Sequence, residues 1–276
     1  MTRPVRVVDT GLLPARRNVS ITAALAEMHC ADRIADTFRF HVYPRSVLIG
    51  HHQNFDRVVE ADYCRRFGID IARRVTGGGA VYMNPGILAW DMVVERARFG
   101  ARLADVMEVI CTGLAAGLSR LGLPARFRPL NEIEISGRKI AGCSGIFMGP
   151  TLLAQGTILV DFDMAEMARA LVLPPDTREK SGDAQLAARV SSLKACLGYA
   201  PPLGEVKRLL IAGLTQMIPS PFEEGALSEA EMLCASHLHD TEYGKDDFVR
   251  GDVLEAPAWT QAGVLPEAQI QRPNLP

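Results

Sequence analysis

The sequence predicts an α+β fold, in which helices pack on a mixed, largely antiparallel β-sheet. Strand and helix patterns follow one another as strands, helix, strands, helix, whereas a parallel sheet would require strict alternation. Ser136-Gly137 and Gly149-Pro150 stand between strand-like segments, which indicates β-hairpins. The chain has 276 residues, 48% hydrophobic and 22% charged, as is ordinary for a globular protein with a large core.

Short strands and three helices are predicted for the N-terminal half. Apolar residues at three- and four-residue spacing predict a helix over residues 20–35, with Ser20 as its N-cap. A second helix is predicted over residues 58–67, where Gly68 supplies the C-cap, and a third over residues 103–121. Strand patterns occur at residues 6–9, 38–43, 46–50 and 86–94.

The C-terminal half is predicted to begin with hairpins and to end with helices. Strands are predicted at residues 132–135, 138–142, 145–148 and 151–162. Helices are predicted at residues 163–173, 205–218 and 228–239, and Ser228, three residues before Glu231, predicts a capped start for the last of them. The polar segment 177–188 is predicted to be a mobile loop. We expect one folded unit over residues 1–250, with C-terminal helices from about residue 200, and a disordered or loosely packed tail over residues 251–276.

Charge, hydropathy and cysteine spacing exclude several classes of function. A formal net charge of -2 does not suit a nucleic-acid binder, and no run of about 18 apolar residues is present to cross a membrane. The N-terminus lacks the apolar segment of a signal peptide. Without a Cys-x-x-Cys pair, no metal site is expected, and we expect a cytoplasmic protein with reduced thiols.

Residues 73–82, RRVTGGGAVY, combine two arginines, a hydroxyl and three consecutive glycines between strand-like flanks. Glycines let a backbone approach a ligand closely, and the adjacent cations suit an anion. A sharp turn between two strands would explain the same glycines without any ligand. Neither Gly-x-Gly-x-x-Gly nor a phosphate loop ending in Gly-Lys-Ser/Thr is present, so the residues alone leave both interpretations open.

Lys139 and Cys143 are candidate chemical residues within a segment of small side chains. A lysine in such a segment either reaches solvent from the end of a strand or stabilises an anionic ligand. The nearby cation would favour the nucleophilic thiolate of Cys143, and a buried small side chain is the alternative. No histidine is near Cys143 in the sequence to act as its base.

Three segments, in order, carry a resemblance to a known family. They are residues 73–82, SGRKIAG at residues 136–142 and QGTIL at residues 155–159, with secondary matches in IGHHQN at residues 49–54 and LNEI at residues 130–133. Together they resemble the lipoate-protein ligase A and octanoyltransferase family, relatives of the biotin-protein ligase catalytic domain. The resemblance covers about residues 18–250, in the family's order and spacing.

The resemblance implies a biotin/lipoate-ligase-like catalytic domain with a tunnel for the acyl chain of lipoate or octanoate. Lys139 matches the family's lysine, which contacts the acyl carbonyl and the phosphate. The other implied contacts to lipoate or its adenylate are Arg74, Thr76, Gly77, Gly78, Gly79, Ala80, Asn131, Gly142, Gly156 and Thr157. Of the two arginines, Arg74 is expected to face the ligand and Arg73 the opposite side.

The chain departs from the family pattern at three places. Tyr82-Met83-Asn84 replaces the usual Tyr-His-Asp, and Gln155-Gly156-Thr157 replaces the common His-Gly-Thr. Cys143 is unusual in the segment after the lysine. No role is therefore expected for a histidine at either of the first two places.

Two acyl-transfer chemistries are implied by the family. A ligase uses ATP and Mg²⁺ to convert lipoate to lipoyl-AMP and modifies a lysine of a lipoyl domain, in a 2-oxoacid dehydrogenase subunit or a glycine-cleavage H-like protein. An octanoyltransferase takes its acyl group from a carrier protein, in some branches through a cysteine thioester.

Asn131 and the absence of a cysteine directly before it favour the ligase. The tail after Arg250 is too short for a ligase accessory domain, which a separate chain would then supply. A non-catalytic lipoyl-binding assembly factor is the third hypothesis.

Overall fold

A computed structural model describes residues 3–100, 102–172 and 188–251 of the chain. The described residues form two β-sheets with helices packed against them. The strands are β1 (Val5–Leu12), β2 (Thr37–Val42), β3 (Ser46–Ile49), β4 (Asp70–Arg73), β5 (Val81–Met83), β6 (Ile87–Glu95), β7 (Ala125–Arg128), β8 (Glu132–Ile135), β9 (Arg138–Met148), β10 (Thr151–Leu159) and β11 (Phe222–Gly225). The α-helices are α1 (Ala15–Cys30), α2 (Ala61–Phe67), α3 (Leu103–Ser119), α4 (Met164–Ala170), α5 (Leu193–Leu197), α6 (Leu203–Met217), α7 (Glu229–Leu238) and α8 (Asp246–Arg250).

The larger sheet has eight strands in the order β11-β1-β2-β6-β10-β9-β8-β7. β1 runs parallel to both of its neighbours, and the remaining pairs of this sheet are antiparallel. The smaller sheet has three strands in the order β4-β3-β5, with β3 parallel to β4 and antiparallel to β5. This arrangement confirms the α+β fold with a mixed, largely antiparallel sheet that the sequence predicts.

One face of the larger sheet, the α3 face, is covered by α3 and α6. Trp90 of β6 and Phe38 of β2 stack there, with their ring centroids 5.7 Å apart. The two helices meet at glycines, since a Cβ added to Gly213 would lie 2.0 Å from Gly113 O and 2.9 Å from the Cα of Gly117. The backbones of α3 and α6 therefore approach each other directly.

The opposite face, the α1 face, is covered by α1 and the smaller sheet. Val93 of β6 belongs to the same apolar cluster as Leu25 of α1 and Leu48 of β3. Because β6 is covered on both faces, every residue of Ile87–Glu95 except the last is buried. The glycine loop, residues 74–80, connects β4 to β5 and reaches the α1 face at β9 and β10.

Local capping and turn signals are confirmed where the sequence predicts them. Gly68 ends α2 in the left-handed conformation, with φ 62°. Ser228 begins α7 with a capping box that includes Glu231. Ser136 and Gly137 both have positive φ, 51° and 79°, in the turn between β8 and β9. This hairpin turn positions Lys139, which follows it.

The predicted start of α1 is wrong. The helix begins at Ala15, and Ser20 lies inside it, where its hydroxyl donates to Arg16 O at 2.7 Å. Pro14 occupies the N-cap position without a side-chain cap. Because the first turn is polar and proline has no capping side chain, neither apolar spacing nor a capping residue marks this end of the helix in the sequence. The helix also ends before the predicted residue 35, since Asp32 follows it in a turn with φ 54°.

Two edge strands and one long strand differ from the expectation. β7 and β11 are short strands at opposite edges of the larger sheet, and neither is predicted from the sequence. β9 is one continuous strand of 11 residues, although the sequence predicts a break inside it. Residues 177–187 of the predicted loop and residues 252–276 of the predicted tail lie outside the described residues.

Candidate active site

Four polar side chains form a row across the α1 face of the larger sheet. Their residues pair in register from strand to strand, in the order Arg39 of β2, Asp91 of β6, Gln155 of β10 and Ser144 of β9. Residues that are paired across neighbouring strands point to the same face. The row therefore lies on the side that the glycine loop reaches.

Thr76 joins the glycine loop to this row. Its Oγ1 donates to Gln155 Oε1 at 2.8 Å and lies 2.9 Å from Ser144 Oγ. Gln155 Nε2 in turn donates to Asp91 Oδ1 at 2.8 Å. Thr76 is fully buried, so these contacts fix the loop at a point that is closed to solvent.

Asp91 is a buried carboxylate whose charge is balanced by Arg39. The two side chains approach to 3.1 Å between Nη1 and Oδ2, and Thr22 of α1 donates to the same oxygen at 2.8 Å. Burial raises the pKa of Asp91, and the Arg39 guanidinium acts in the opposite direction. A carboxylate in such a place requires both an ion-pair partner and hydrogen bonds, and this one has them.

Arg74 supports the glycine loop from inside. Its Nη2 donates to Gly77 O at 2.7 Å and to Gly79 O at 2.9 Å, while its Nη1 donates to Leu48 O at 3.2 Å. Gly78 has φ 97°, in the left-handed region that favours glycine. Burial lowers the pKa of Arg74 to about 10. The predicted ligand-facing arginine thus holds the carbonyl groups of the loop.

The surface of the glycine loop is mostly backbone. Among the described residues, a Cβ added to Gly77 or Gly79 would meet no atom within 4 Å beyond its chain neighbours. Ala80 packs against the apolar cluster at the smaller sheet. At Gly50, by contrast, a Cβ would lie 2.0 Å from Gly78 O, so the chain needs glycine there for the two loops to approach. Open space for a ligand therefore lies beside Gly77 and Gly79.

Arg73 has entirely different partners from Arg74. Its guanidinium donates to the carbonyl oxygens of Gly50, His51, Gln53, Phe248, Val249 and Gly251. The last three lie in or directly after α8, so Arg73 joins this helix to the loop after β3. The two neighbouring arginines have the unequal surroundings that alternation along a strand predicts.

Lys139 carries a cation on the α1 face. Its Nζ lies 2.8 Å from Glu132 Oε1 of β8, and its side chain is 36% exposed. Gly142 makes room for this amine, since a Cβ there would lie 2.9 Å from Lys139 Nζ. Gly142 pairs with Thr157 of β10 and precedes Ser144 by two residues, so all three share one face. The predicted residues Lys139, Gly142 and Thr157 thus come together on the side of the glycine loop.

Cys143 and Gly156 lie on the α3 face instead. Cys143 Sγ is 3.4 Å from Cys111 Sγ of α3, and this contact together with burial raises the pKa of the Cys143 thiol. Gly156 pairs with Trp90, and a Cβ there would lie 2.4 Å from the indole ring. The geometry gives no support to Cys143 as a nucleophile, because the sheet separates its thiol from Lys139. Gly156 makes room for a core side chain.

Asn131 shapes the start of β8 through contacts with the backbone. Its Nδ2 donates to Cys143 O at 2.5 Å, and its own carbonyl accepts from Cys143 N at 2.9 Å. Leu130, directly before it, has φ 91° and is 82% exposed. Asn131 therefore extends the pairing of β8 with β9 beside the Lys139–Glu132 pair.

The sequence profile of the lipoyl protein ligase A/B catalytic domain matches residues 14–215, a span that contains the glycine loop, Lys139 and Thr157. The chain belongs to this lipoyl ligase family. The resemblance carried by its motifs is thereby confirmed. The protein is an enzyme, a lipoate-protein ligase or a related protein acyltransferase.

Relatives of this lipoyl ligase family member represent both chemistries. The chain is 27% identical over 266 residues to an octanoyltransferase LipM of Symbiobacterium thermophilum, which covers 88% of this chain and 97% of the relative. It is 28% identical over 223 residues to lipoate-protein ligase A subunit 1 of Thermoplasma acidophilum, with coverage of 77% and 84%. Sequence similarity therefore assigns the family without choosing between ligase and transferase.

Solved lipoate ligase structures share the fold. The bipartite lipoate protein ligase of Thermoplasma acidophilum, from a study that includes its E2 lipoyl domain, matches with a TM-score of 0.79 and 26% identity, over 92% of this chain and 99% of that one. A lipoate-protein ligase A bound with ATP matches with a TM-score of 0.78 and 25% identity, over 91% and 99%. The two sheets and packed helices described above are thus shared with solved lipoate ligases.

The candidate site contains residues that the sequence does not predict. Asp91, Glu132 and Ser144 are absent from the predicted site, and Gln155 is noted only as a departure from the family pattern. Asp91 carries a usable signal, because a carboxylate inside an apolar strand needs a buried partner. Ser144 carries only a weak one, since alternation allows either Ser144 or its neighbour Cys143 to face the glycine loop.

Three further findings bear on the chemistry of this family member. Within residues 3–100, 102–172 and 188–251, no group of three or more His, Cys, Asp or Glu side chains is arranged to hold a metal ion. Over the same part of the chain, no helix has the length and apolar character needed to cross a membrane. All six cysteines are free thiols.

Proposed function

We propose that this enzyme is a lipoate-protein ligase, which activates lipoate with ATP to lipoyl-AMP and transfers the lipoyl group to a lysine of a lipoyl carrier domain. One observation carries the proposal. The α1 face presents the Lys139 cation over Gly142, two residues from the Ser144 that contacts the glycine loop, whereas the Cys143 thiol is buried on the opposite face. Activation of a carboxylate as an adenylate requires a cation, while a thioester route requires an accessible thiolate.

Lys139 is the catalytic residue in this proposal. Its ammonium group, above the Cα of Gly142, contacts the acyl carbonyl and phosphate oxygens and stabilises the negative charge that develops when the carbonyl is attacked. Gly77 and Gly79 give the ligand close access to the backbone, and Arg74 fixes their carbonyl groups. Thr157 lines the same side of the sheet as Gly142.

The residues at this site suit ATP and Mg²⁺. Glu132 holds the Lys139 amine at 2.8 Å, and a phosphate oxygen is a suitable replacement for this carboxylate as its partner. Mg²⁺ is bound largely through phosphate oxygens and water, with one or two carboxylates at most. When bound, it would neutralise phosphate charge. The similarity to a ligase bound with ATP supports this part of the proposal.

The acceptor in this proposal is a lipoyl domain, in a 2-oxoacid dehydrogenase subunit or a glycine-cleavage H-like protein. Support comes from the Thermoplasma acidophilum ligase, which was studied with its E2 lipoyl domain. That ligase is bipartite, so we propose a separate accessory chain here as well.

Because all six cysteines are free thiols, we assign the enzyme to the cytoplasm.

An octanoyltransferase is the second candidate. It is favoured by the similarity to LipM, since the match spans 97% of that relative. Such an enzyme would transfer octanoate from a carrier-protein thioester to the same acceptor lysine. Lys139 would then stabilise negative charge on the thioester carbonyl oxygen.

The two candidates differ in their acyl donor. Purified protein is incubated with an apo lipoyl domain and either lipoate, ATP and Mg²⁺, or octanoyl carrier protein without ATP, and mass spectrometry detects the acylated domain. A ligase modifies the domain with lipoate only when ATP is present. Octanoylation without ATP, combined with no lipoylation, would overturn the proposal in favour of the transferase. Preformed lipoyl-AMP, in a third reaction, measures transfer independently of adenylation and of any accessory chain that adenylation requires.

A further inference from the structure

A chain of hydrogen bonds leads from the buried Asp91 to Ser144, and the chemistry of its members sets its direction. Asp91 is ion-paired with Arg39 at 3.1 Å, so its carboxylate only accepts hydrogen bonds. Gln155 must therefore turn its amide Nε2 toward Asp91, at 2.8 Å. This orientation directs Gln155 Oε1, which is an acceptor, toward Thr76.

The same logic extends the direction to Ser144. Thr76 has a single hydroxyl hydrogen, which it donates to Gln155 Oε1 at 2.8 Å. The 2.9 Å contact between Thr76 Oγ1 and Ser144 Oγ therefore requires Ser144 to be the donor. Once its hydrogen is directed at Thr76, the Ser144 oxygen is left as an acceptor. Ser144 is half-buried, whereas Thr76 is fully buried. Ser144 is therefore the member of this hydrogen-bond chain that a ligand can reach.

We propose that this chain orients Ser144 to accept a hydrogen bond from the amine of the acceptor lysine, so that the lone pair of the amine points at the acyl carbon held at Lys139. Ser144 then binds the nucleophile, while Asp91, Gln155 and Thr76 are positioning residues. The inference rests on the proposed function for the identity of the acyl donor. Attack by the amine itself is common to the ligase and the transferase.

The spacing along β9 suits this role. The Lys139 amine lies over Gly142, and Ser144 is two residues further along the same face. Two residues of a strand span roughly 6 to 7 Å. A carbonyl oxygen bound to Lys139 and an amine bound to Ser144 would each lie about 2.9 Å from its partner, above the strand. The two bound groups would therefore be neighbours on the α1 face, with the amine nitrogen facing the carbonyl carbon.

The chemical step leaves Ser144 unchanged. The neutral amine nitrogen forms the amide bond to the acyl carbon, and the bond between that carbon and the phosphate oxygen breaks. AMP leaves with the electron pair, and the proton lost by the amine passes to solvent. With a carrier-protein thioester as the donor, the carbon–sulfur bond breaks instead and the thiolate leaves.

Variants of Ser144 test the acceptor role directly. Single-turnover transfer from lipoyl-AMP to the lipoyl domain is compared with adenylation, measured as pyrophosphate exchange with the accessory chain present. Ser144→Ala is expected to slow transfer about ten-fold more than adenylation, the effect of one hydrogen bond lost in the transition state. Ser144→Thr keeps the oxygen and is expected to retain most of the transfer rate. Ser236→Ala, on α7, is the matched control and should alter neither rate.

A variant of Gln155 tests the positioning role. Gln155→Met preserves volume but bonds to neither Asp91 nor Thr76, so we expect a similar loss of transfer. Adding Ser144→Ala to this variant should produce little further loss, because Ser144 has already lost its orientation. Thermal unfolding reports whether each variant is folded. If Gln155→Met is unfolded, the Ser144 variants still test the acceptor role.

Three results would overturn the inference. They are equal slowing of adenylation and transfer by Ser144→Ala, no slowing of transfer, and a full ten-fold loss when Ser144→Ala is added to Gln155→Met. If the ligase proposal itself fails, octanoyl carrier protein replaces lipoyl-AMP as the donor and Ser144→Ala is measured on that transfer. Failure of the function and failure of the inference are thus separate outcomes.

Discussion

Lys139 Nζ lies 2.8 Å from Glu132 Oε1, beside the bare α-carbon of Gly142. The two side chains are 36% and 27% exposed, and ion pairs of this kind contribute on the order of 0.2 to 1 kcal/mol to stability. The more important effect of Glu132 is on ligand binding. An anion that binds Lys139 has to approach this carboxylate, whose negative charge repels it.

Replacing Glu132 with glutamine is therefore expected to tighten the binding of anionic ligands. We expect Glu132→Gln to increase the affinity for a non-hydrolysable lipoyl-adenylate analogue about three-fold, because the competing charge is removed. Isothermal titration calorimetry measures this change. The gain should shrink as salt is added, since the pair is partly exposed. Unchanged or weaker binding would show that Glu132 does not compete with the ligand.

Lys139→Ala is expected to abolish acyl transfer while leaving the fold intact. Removal of one group that stabilises a developing oxyanion slows catalysis by about 10² to 10³-fold. Single-turnover transfer and thermal unfolding are measured side by side. Lys207→Ala provides a control, because Lys207 pairs with Asp9 at 2.5 Å and lies on α6. A transfer rate within a few-fold of the unmodified enzyme would refute the assignment of Lys139.

Alanine at Gly156 and alanine at Gly142 are expected to have opposite effects. At Gly156 the new Cβ would lie 2.4 Å from the buried Trp90 ring, so we expect the free energy of unfolding to fall by about 1 to 3 kcal/mol. At Gly142, the contact within the described residues would be with the flexible end of Lys139, at 2.9 Å, so transfer should slow with little loss of stability. Urea unfolding and transfer assays on both variants check this contrast, and the reverse pattern would contradict it.

Glu231 is expected to make stability depend on pH. It accepts from Arg6 Nη1 at 3.0 Å and from Ser228 N at 2.6 Å. Burial raises the pKa of Glu231, but the hydrogen bonds from Arg6 and Ser228 outweigh burial, so the pKa lies below the ordinary 4.5. Ionised Glu231 therefore stabilises the fold above pH 4.5, and this contribution is lost as the pH falls through the lower pKa of the folded state.

The test compares Glu231→Gln with the unmodified enzyme at several pH values. At pH 7 we expect the variant to lose about 1 to 3 kcal/mol of unfolding free energy, as for a hydrogen bond to a charged group. The difference should shrink below pH 4.5. Glu229→Gln, at an exposed position of the same helix, should show a much smaller difference at every pH. A constant difference across the pH range would contradict this account of Glu231.

Two truncations test the proposed boundary of the catalytic domain near residue 250. Removal of residues 252–276 is expected to preserve both the unfolding temperature and transfer. Removal of residues 246–276 deletes three of the carbonyl acceptors of the buried Arg73 guanidinium. We expect a loss of several kcal/mol, with transfer falling as well. Equal behaviour of the two truncated proteins would argue against this role of Arg73.

Elements with local signals are the ones that the sequence predicts well. The left-handed Gly68, the capping box at Ser228 and the Ser136-Gly137 turn depend on residues within one turn of chain, and all three are confirmed. The start of α1 is missed because Pro14 has no side-chain cap. Short edge strands such as β7 and β11 are missed because their pairing partners, and not their own composition, define them.

The site residues also divide into those that have a local sequence signal and those that have none. The glycine loop and Lys139 are identified from motifs, and the fold does bring them together. The side to which Cys143 or Ser144 points depends on strand register, and the pairing of β8 with β9 shifts between Ile133 and Glu134. A shift of one residue exchanges the two faces, so alternation alone cannot distinguish the thiol from the hydroxyl.

The carbonyl acceptors of Arg73 are made at two widely separated times during synthesis. Those of Gly50, His51 and Gln53 precede the arginine, whereas those of Phe248, Val249 and Gly251 are made about 175 residues after it. A nascent chain that ends before Phe248 therefore has only the first three. The base of the glycine loop gains its remaining support only when α8 has been made.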